Sequence, residues 1–458
     1  MRGTHRRPGG RAPRCAAIAA AVAIGLVATA CSSVSHSTVS GTSPAQSRAE
    51  ASASAKARAA ELAKARAAAL ARDLKITPAD GRHDASPSDG ITVTAVGRVK
   101  HVSVRTSGDA VYGSLAADGK SWHSTGHLGI SQSYTVIATG TAPSGEKITE
   151  TSTFRTLTPA QTFSTEIFEG YQQTYGVGMP IMLTFSQPVT NKAAVERSFE
   201  LTTSKPVIGA WYWDGDQHLY FRPRDYWPAY TEVTLTSHLD GIEGATGVYG
   251  ARDLSQTFEI GRSLIAVAST TAHKTLVYLN GKLTYQWPIS TGRPSEPTPD
   301  GTYLSIEKAN PVRMIGGGPK GSPGYYNELV NFAVRFTWSG DYYHSAPWSV
   351  VDQGSTNVSH GCVNLPPTGA KIYYNLSIPG DPITITASTA GGKWDDGWTP
   401  WFLPWSQYLN GSATGEAVKA GPQGSTFVSP SSLAASTASA PVGTPATGNS
   451  GAGTVSLG

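Results

Sequence analysis

Apolar and polar residues alternate along most of the chain downstream of residue 75. The segments GITVTAVG, VKHVSVRT and SYTVIATGTA show the alternation, and turn sequences such as ADGK separate them. Because side chains on a β-strand point alternately to its two faces, this pattern predicts strands with one buried face. We therefore expect a mainly β protein with one or two short helices in its folded part.

Two blocks of alternating segments follow one another and end in similar sequences. The first closes with ETSTFRTLTPA around Phe154, and the second closes with LSQTFEIGRS around Phe258. Short strands with frequent turns are typical of β-sandwiches. The repeated closure therefore predicts two immunoglobulin-like sandwich domains in tandem, at 75–158 and 159–262.

The second block contains an aromatic cluster, GAWYWDGDQHLY, with Trp211, Tyr212 and Trp213. Such a cluster can stack on a sugar or fill the space between two sheets. The core interpretation fits the surrounding alternation better.

A third block, residues 263–388, combines strands with a helix and a long loop. SLIAVASTTAHKTLVYLNGKLTYQWPISTG predicts consecutive strands, with Asn280–Gly281 as a hairpin turn. The Gly- and Pro-rich segment KANPVRMIGGGPKGSPGYYNE is typical of a functional loop such as a lid. TGAKIYYNLSI predicts the helix, and DPITITAS predicts a last strand.

The C-terminal part divides into two segments by composition. Residues 389–412 include KWDDGWTPWFLPWSQYLNGS, and we expect this Trp-rich subdomain to fold back onto the third block as an apolar strap. Residues 413–458 are rich in Ala, Ser, Gly, Thr and Pro, which predicts a disordered tail.

The N-terminus has the pattern of an export signal. Five arginines precede the apolar run CAAIAAAVAIGLVATA, which is too short to favour a membrane span. The signal is assigned to residues 1–30. Small residues before Cys31 resemble the lipobox of bacterial lipoproteins, which predicts a lipidated Cys31; ordinary cleavage after Ala30 or a retained anchor are the alternatives. Residues 31–74 are then expected to form a lipid-anchored flexible linker, to about residue 52, and a spacer helix.

The positive charge of the chain belongs to this signal. The whole chain carries 36 Lys and Arg against 32 Asp and Glu, a formal charge of +4. Without the five arginines of residues 1–30, 31 basic residues face 32 acidic ones. This balance gives no electrostatic support for nucleic-acid binding.

Cysteine usage singles out Cys362. Of the three cysteines, Cys15 leaves with the signal and Cys31 is the expected lipid acceptor. A lone thiol in an exported protein suggests reactivity, although a buried inert cysteine is the alternative.

The neighbours of Cys362 fit nucleophilic catalysis. A thiol nucleophile needs a base to take its proton, and His344 and His360 are the nearby imidazoles in the sequence. His360 is too close in the chain for easy in-line pairing, which leaves it a supporting role. Gly361 gives the backbone freedom to present N–H groups to an oxyanion. The set predicts acyl transfer through a thioester, without a metal ion or a cofactor, because no residue cluster has metal-site spacing.

The spacing of these residues resembles a known family. The pattern H-x14-S-H-G-C-V-N, from His344 to Asn364, looks like the signature of the L,D-transpeptidases with a YkuD-like catalytic domain. The chain as a whole resembles the actinobacterial lipoprotein type, which has tandem immunoglobulin-like domains and a Trp-rich C-terminal subdomain. The resemblance makes residues 263–388 the catalytic domain.

In that family the cysteine attacks the bond between the diamino acid and the terminal D-Ala of a peptidoglycan tetrapeptide stem. A second stem's side-chain amine then attacks the acyl-enzyme and gives a 3→3 cross-link. The resemblance implies four catalytic residues: Cys362 as nucleophile, His344 as general base, Ser345, whose carbonyl orients His344, and Gly361, whose N–H joins that of Cys362 in an oxyanion site. It implies substrate contacts by Tyr326, Trp348, Ser359, His360, Asn364 and Met314.

The resemblance also implies partners and a location. The partners are the donor and acceptor stems of peptidoglycan, the membrane through a lipid anchor, and carbapenem-type β-lactams as covalent inhibitors. The expected location is the outer face of the cytoplasmic membrane, with reach into the cell wall. Two alternatives stay open: an L,D-carboxypeptidase or endopeptidase on the same stems, and a non-catalytic wall-spacer protein.

Overall fold

The computed structural model describes residues 44–70, 72–108, 110–322 and 324–433. Within these residues strands far outnumber helices, which confirms the mainly β fold class. The expected signal at 1–30 and the expected lipid acceptor Cys31 lie outside the described residues.

The first element is helix α1, Pro44–Leu70. Its sequence is dominated by Ala, Lys, Arg and Glu, which are strong helix formers. The sequence predicted a flexible linker as far as about residue 52. That prediction is wrong from Pro44 onward, because the helix-forming composition, and with it helix α1, already begins there. Within the described part of the chain, no helix combines the length and apolar character that crossing a bilayer requires.

The first block forms two antiparallel sheets around one apolar core. Its strands are β1 Leu74–Thr77, β2 Thr92–Ala95, β3 Arg98–Thr106, β4 Gly113–Leu115, β5 Ser121–Ser124, β6 Ser133–Thr141 and β7 Lys147–Arg155. The sheet orders are β1-β2-β5-β4 and β3-β6-β7. Buried residues from both sheets, including Val93 and Val136, share the core, as in a β-sandwich.

The second block is built on a large mixed sheet. Its elements are β8 Gln161–Phe163, β9 Thr165–Ile167, β10 Thr174–Tyr175, β11 Ile181–Phe185, α2 Lys192–Arg197, β12 Phe199–Thr203, β13 Val207–Asp214, β14 His218–Pro223, β15 Thr231–Ser237, β16 Glu243–Ala245, β17 Val248–Gly250 and β18 Leu254–Ile260. Trp211 and Trp213 on β13 are buried in its core, which confirms the core interpretation of these two tryptophans.

Two strands from the C-terminal part complete this sheet. They are β30 Ala417–Gly421 and β31 Gly424–Val428, and the sheet order is β10-β18-β15-β12-β30-β13-β14-β11-β9, with β31 paired to β30. The prediction of disorder from residue 413 is therefore wrong for these strands. The physical reason is that β30 hydrogen-bonds between β12 and β13 and buries Ala417, Val418 and Ala420. Residues 434–458 of the predicted tail lie outside the described residues.

The third block contains the elements that position the site. Its elements are β19 Leu264–Ser269, β20 Lys274–Leu279, β21 Lys282–Pro288, β22 Gly301–Leu304, β23 Glu307–Ala309, β24 Val312–Gly316, β25 Tyr326–Val330, β26 Ala333–Arg335, β27 Tyr342–Ser345, β28 Val363–Leu365, α3 Pro367–Leu376 and β29 Pro382–Thr386. They form three sheets, β21-β20-β19-β29-β22, β23-β26-β27-β28 and β24-β25. Asn280 and Gly281 have the positive φ angles of the predicted hairpin turn.

The Trp-rich segment contacts the second block as well as the third. It contains a short 3₁₀ turn, Pro400–Phe402, and helix α4, Trp405–Leu409. Phe402 packs edge-on against Tyr303 of the third block, as a strap would. On the other side, the Arg222 guanidinium of β14 lies over the rings of Trp401 and Tyr408, at 4.4 and 4.3 Å. The segment therefore joins two blocks through a buried cation and aromatic rings.

Candidate active site

The predicted base lies on a strand, and the predicted nucleophile directly precedes the neighbouring parallel strand. In β27 and β28, Tyr343 is opposite Val363 and His344 is opposite Asn364. Tyr343 and Val363 are fully buried in the core, so His344 and Asn364 face the other side of the sheet. Cys362 directly precedes β28. His344 and Cys362 are therefore two register positions apart at the edge of this strand pair.

His344 is held in one tautomer. Its Nδ1 lies 3.0 Å from the carbonyl oxygen of Ser345, and because a carbonyl only accepts, Nδ1 carries the hydrogen. Nε2 is then left as the acceptor. Burial lowers the pKa of His344 to about 4, and the Ser345 carbonyl opposes this in part. At neutral pH His344 is an uncharged base.

Cys362 is a half-buried free thiol. Burial, with a smaller contribution from the negative charge of Asp341, raises the pKa of Cys362 to about 12, and the backbone N–H of Tyr342 opposes this rise. The Sγ atom contacts the carbonyl oxygen of Gly340 at 3.8 Å. At neutral pH Cys362 is therefore a neutral thiol and His344 a neutral imidazole.

The loop before the nucleophile is fixed by its own hydrogen bonds. Ser359 Oγ donates to the Cys362 carbonyl at 2.6 Å, and Thr298 Oγ1 donates to the Gly361 carbonyl at 2.5 Å. The Gly361 N–H donates to Ser359 Oγ at 3.2 Å. The prediction that this N–H serves an oxyanion is wrong for this geometry, because the donor is engaged inside the loop.

Asn364 and Trp348 differ in their environments. Asn364 is buried, and its Nδ2 donates to Ser349 Oγ at 3.1 Å. Its backbone pairs with Ser290, so Asn364 fixes the strand edge beside the nucleophile. Trp348, in contrast, is 54% exposed, and its ring lies 6.0 Å from that of His344.

The predicted lid is a β-hairpin. Strands β24 and β25 pair with Met314 opposite Glu328 and Gly316 opposite Tyr326. The ring of Tyr326 lies 4.6 Å from that of His360, which places the hairpin over the nucleophile loop. Met314 is half-buried and shares the face of Gly316, so it lies on the same side of the hairpin as this contact.

Asp341, Glu296 and the Cys362 thiol lie near Tyr326 of the hairpin. Burial raises the pKa of Tyr326, and charge at Cys362, Asp341 and Glu296 adds to the effect. Glu296 pairs with Arg293 in the loop after β21, and its Oε2 lies 3.9 Å from Nε2 of His360. Among the described residues, no group of His, Cys, Asp and Glu side chains is arranged to hold a metal ion.

Four residues at this site escaped the sequence analysis: Asp341, Arg293, Glu296 and Thr298. Asp341 stands only three positions before His344, and a carboxylate so close to the motif was the one available signal. The other three come from a loop that meets the nucleophile through long-range pairing, in which Arg293 N–H donates to the Ser359 carbonyl at 2.9 Å. No sequence spacing indicates that contact.

Comparisons with known proteins show the family of this chain. The family model described as the L,D-transpeptidase catalytic domain (YkuD) matches residues 263–385, and that of a bacterial Ig domain matches residues 82–243. L,D-transpeptidase 2 of Mycobacterium tuberculosis is 32% identical over 347 residues, which cover 74% of this chain and 85% of that protein. L,D-transpeptidase 1 of the same species is 40% identical over 213 residues, 46% of this chain and 79% of the relative.

A solved structure, that of the L,D-transpeptidase LdtMt1 in complex with imipenem, is also similar. It is 38% identical, covers 48% of this chain and 97% of the solved chain, and has a TM-score of 0.42.

Proposed function

Since the chain belongs to the L,D-transpeptidase family, an acyltransferase family that cross-links peptidoglycan, we propose that it forms 3→3 cross-links through a thioester on Cys362. The donor is a tetrapeptide stem that loses its terminal D-Ala. The acceptor is the side-chain amine of a diamino acid in a second stem.

One observation carries the mechanism: His344 pairs with Asn364 across β27 and β28, Cys362 directly precedes β28, and Nδ1 of His344 donates to the Ser345 carbonyl. In the first step the thiol proton moves to His344 Nε2 while Sγ forms a bond to the donor carbonyl carbon. His344 then returns the proton to the departing amine of D-Ala, and the carbon–nitrogen bond breaks.

The second step repeats the proton transfers with the acceptor. The amine attacks the thioester carbonyl and loses a proton to His344, and a new amide bond forms. The carbon–sulfur bond breaks, and Sγ takes the proton back. The enzyme is regenerated without another reactant.

The hairpin and its surroundings supply the substrate contacts in this proposal. Tyr326 and Met314 close over the stem from the hairpin, and Tyr326 helps the Cys362 N–H to hold the oxyanion. Trp348 borders the entrance. Ser359, His360 and Asn364 act through the shape of the nucleophile loop, which their hydrogen bonds and ring contacts support.

The test uses a protein that starts at residue 44, because it then contains Cys362 as its single cysteine. It is incubated with a disaccharide-tetrapeptide, and the products are measured by mass spectrometry. A dimer that has lost one D-Ala supports transpeptidation. A tripeptide alone would instead identify a carboxypeptidase, and no change in the stem would leave a wall-spacer role.

A second measurement addresses the thioester itself. A relative's solved structure contains imipenem, so we propose that carbapenems acylate Cys362. Imipenem should add its mass to the wild-type protein and not to Cys362→Ala. An adduct on Cys362→Ala would rule out this nucleophile.

We also propose that residues 1–30 direct export and that lipid on Cys31 anchors the protein at the outer face of the membrane. The sandwich domains would then hold the catalytic domain out in the wall. Cys31→Ser should release the protein from the membrane fraction in cells without changing activity on soluble stems. Equal membrane association of both proteins would contradict the anchor.

A further inference from the structure

Asp341 is a buried carboxylic acid beside the nucleophile that the proposed reaction does not use. It follows the turn at Gly340 and directly precedes β27, the strand of His344. It is 9% exposed, and its backbone N–H donates to Thr337 Oγ1 at 2.7 Å. The Phe336 N–H donates to the Asp341 carbonyl at 3.0 Å, so the turn is fixed at both ends.

The side chain of Asp341 lies against Gly361. The φ angle of Gly361 is +134°, which disfavours any residue with a Cβ. A Cβ at this position would overlap Oδ1 of Asp341 and stand 3.2 Å from its Cγ. The carboxyl group therefore occupies the space where other residues have a side chain, and it limits how the peptide before Cys362 can rotate.

We propose that Asp341 is a positioning residue that fixes Gly361 and, through its charge, sets the pH range in which Cys362 is acylated. This inference rests on the proposed thioester chemistry at Cys362. Asp341 acts on the thiol and its loop and does not itself contact the substrate.

The charge of Asp341 opposes the reaction. The thiol becomes negative as it loses its proton, and a nearby carboxylate makes that change less favourable. Burial raises the pKa of Asp341 to about 6, the Thr337 hydroxyl opposes this, and the negative charge of Asp396 adds to it. The ionisable groups that face Asp341 are Cys362, Tyr303, Tyr326 and Asp396.

The sign of the pH effect follows. Above pH 6 Asp341 is ionised and holds the thiol proton in place, while below pH 6 it is neutral and this effect is lost. His344 stays an uncharged base down to about pH 4. Acylation of the wild-type protein should therefore become faster as the pH falls from 7 to 5.

The test compares Asp341→Asn with the wild-type protein. Asn keeps the size of the side chain but carries no charge. We would measure the rate constants for imipenem acylation and for iodoacetamide alkylation of Cys362 between pH 4.5 and 9. At pH 8 the variant should react with both reagents about tenfold faster than wild type, which corresponds to a thiol pKa lower by about one unit. The rate constant for its acylation should not rise between pH 7 and 5.

Two further variants separate the roles. Asp341→Ala removes the contact with Gly361 as well as the charge, so it should be acylated more slowly than Asp341→Asn at every pH. Asp352→Asn removes a charge from a turn of the same domain and should keep the wild-type profile. Identical profiles for Asp341→Asn and wild type would overturn the inference.

The wild-type profile is a test in its own right if a variant fails to fold. A wild-type acylation rate that stays flat or falls between pH 7 and 5 would also overturn the inference. Alkylation by iodoacetamide needs only a thiol, so it reports on Asp341 even if imipenem gives no adduct. A missing adduct with a shifted alkylation profile would contradict the proposed function and leave the role of Asp341 intact.

Discussion

The buried state of His344 has a consequence for stability that can be measured. In the folded protein its imidazole is 3% exposed, and burial lowers the pKa of His344 from its ordinary value of 6.5 to about 4. The unfolded chain therefore binds a proton on His344 between pH 6.5 and 4, and the folded protein does not. Because the unfolded state gains that proton, the stability from His344 is complete above pH 6.5 and is lost as the pH falls towards 4.

The size of the loss follows from the two pKa values. At about 1.4 kcal/mol per pH unit, the full gap between 6.5 and about 4 corresponds to about 3 kcal/mol. Between pH 7.5 and 4.5 most of this range is crossed, so wild type should lose about 2–3 kcal/mol of unfolding free energy through His344. His344→Gln lacks the titrating group and should not show this loss.

The assay is urea unfolding of wild type and His344→Gln at pH 7.5 and 4.5. The relevant quantity is the difference in unfolding free energy between the two proteins, because both also carry buried carboxyl groups whose contribution to stability changes with pH in the opposite direction. Burial raises the pKa of Glu169 to about 8 and that of Asp381 to about 7, so these groups stabilise the fold as the pH falls. A difference that stays constant between the two pH values would refute a buried neutral His344.

Three further substitutions test the supports of the site. Arg222→Met removes the buried cation from the rings of the Trp-rich segment and should lower the free energy of unfolding in urea by about 2–4 kcal/mol. The control Arg224→Met, at an exposed position, should lower it by about 0.5 kcal/mol or less, and equal losses would contradict this prediction. Glu196→Ala removes the carboxylate that accepts from the Ala413 N–H and the Ser412 hydroxyl, so amide hydrogen exchange in β30 should become faster. Unchanged exchange rates in β30 would contradict this prediction. Gly361→Ala should slow imipenem acylation by about 100-fold or more, because the positive φ angle disfavours a Cβ and the new Cβ would overlap Asp341. A near-normal acylation rate would show that the loop is not constrained.

The sequence was sufficient to predict the class of fold and the family of the chain. The alternation of apolar and polar residues is a pattern of neighbouring positions in the chain. It therefore predicted strands in all three blocks. The motif from His344 to Asn364 is short enough that two adjacent strands and one loop contain it. The spacing of the motif therefore agrees with a register in which His344 and Asn364 lie opposite one another on these strands.

Contacts between distant segments were not predictable in the same way. Strand β30 fits between β12 and β13, about 200 residues earlier, and its few apolar residues are hidden in an Ala-, Gly- and Ser-rich sequence. The contact of Asp341 with Gly361 depends on the φ angle of one glycine and on the turn at Gly340. Both features are set by tertiary packing, and local sequence patterns do not encode them.

These long-range contacts show that residues 263–388 receive part of their support from neighbouring segments. The turn that carries Asp341 is held from outside this range: the Asp396 carboxylate accepts from the N–H and the hydroxyl of Ser339, each at 2.6 Å. The Trp-rich segment that carries Asp396 is fixed in turn by Arg222 of the second block, which donates to the Leu403 carbonyl at 2.8 Å. A chain that ended before residue 389 would leave the N–H and the hydroxyl of Ser339 without these two bonds, while the bonds of Thr337 and Phe336 to Asp341 would remain. The second block and the Trp-rich segment therefore contribute to the support of the turn that precedes β27.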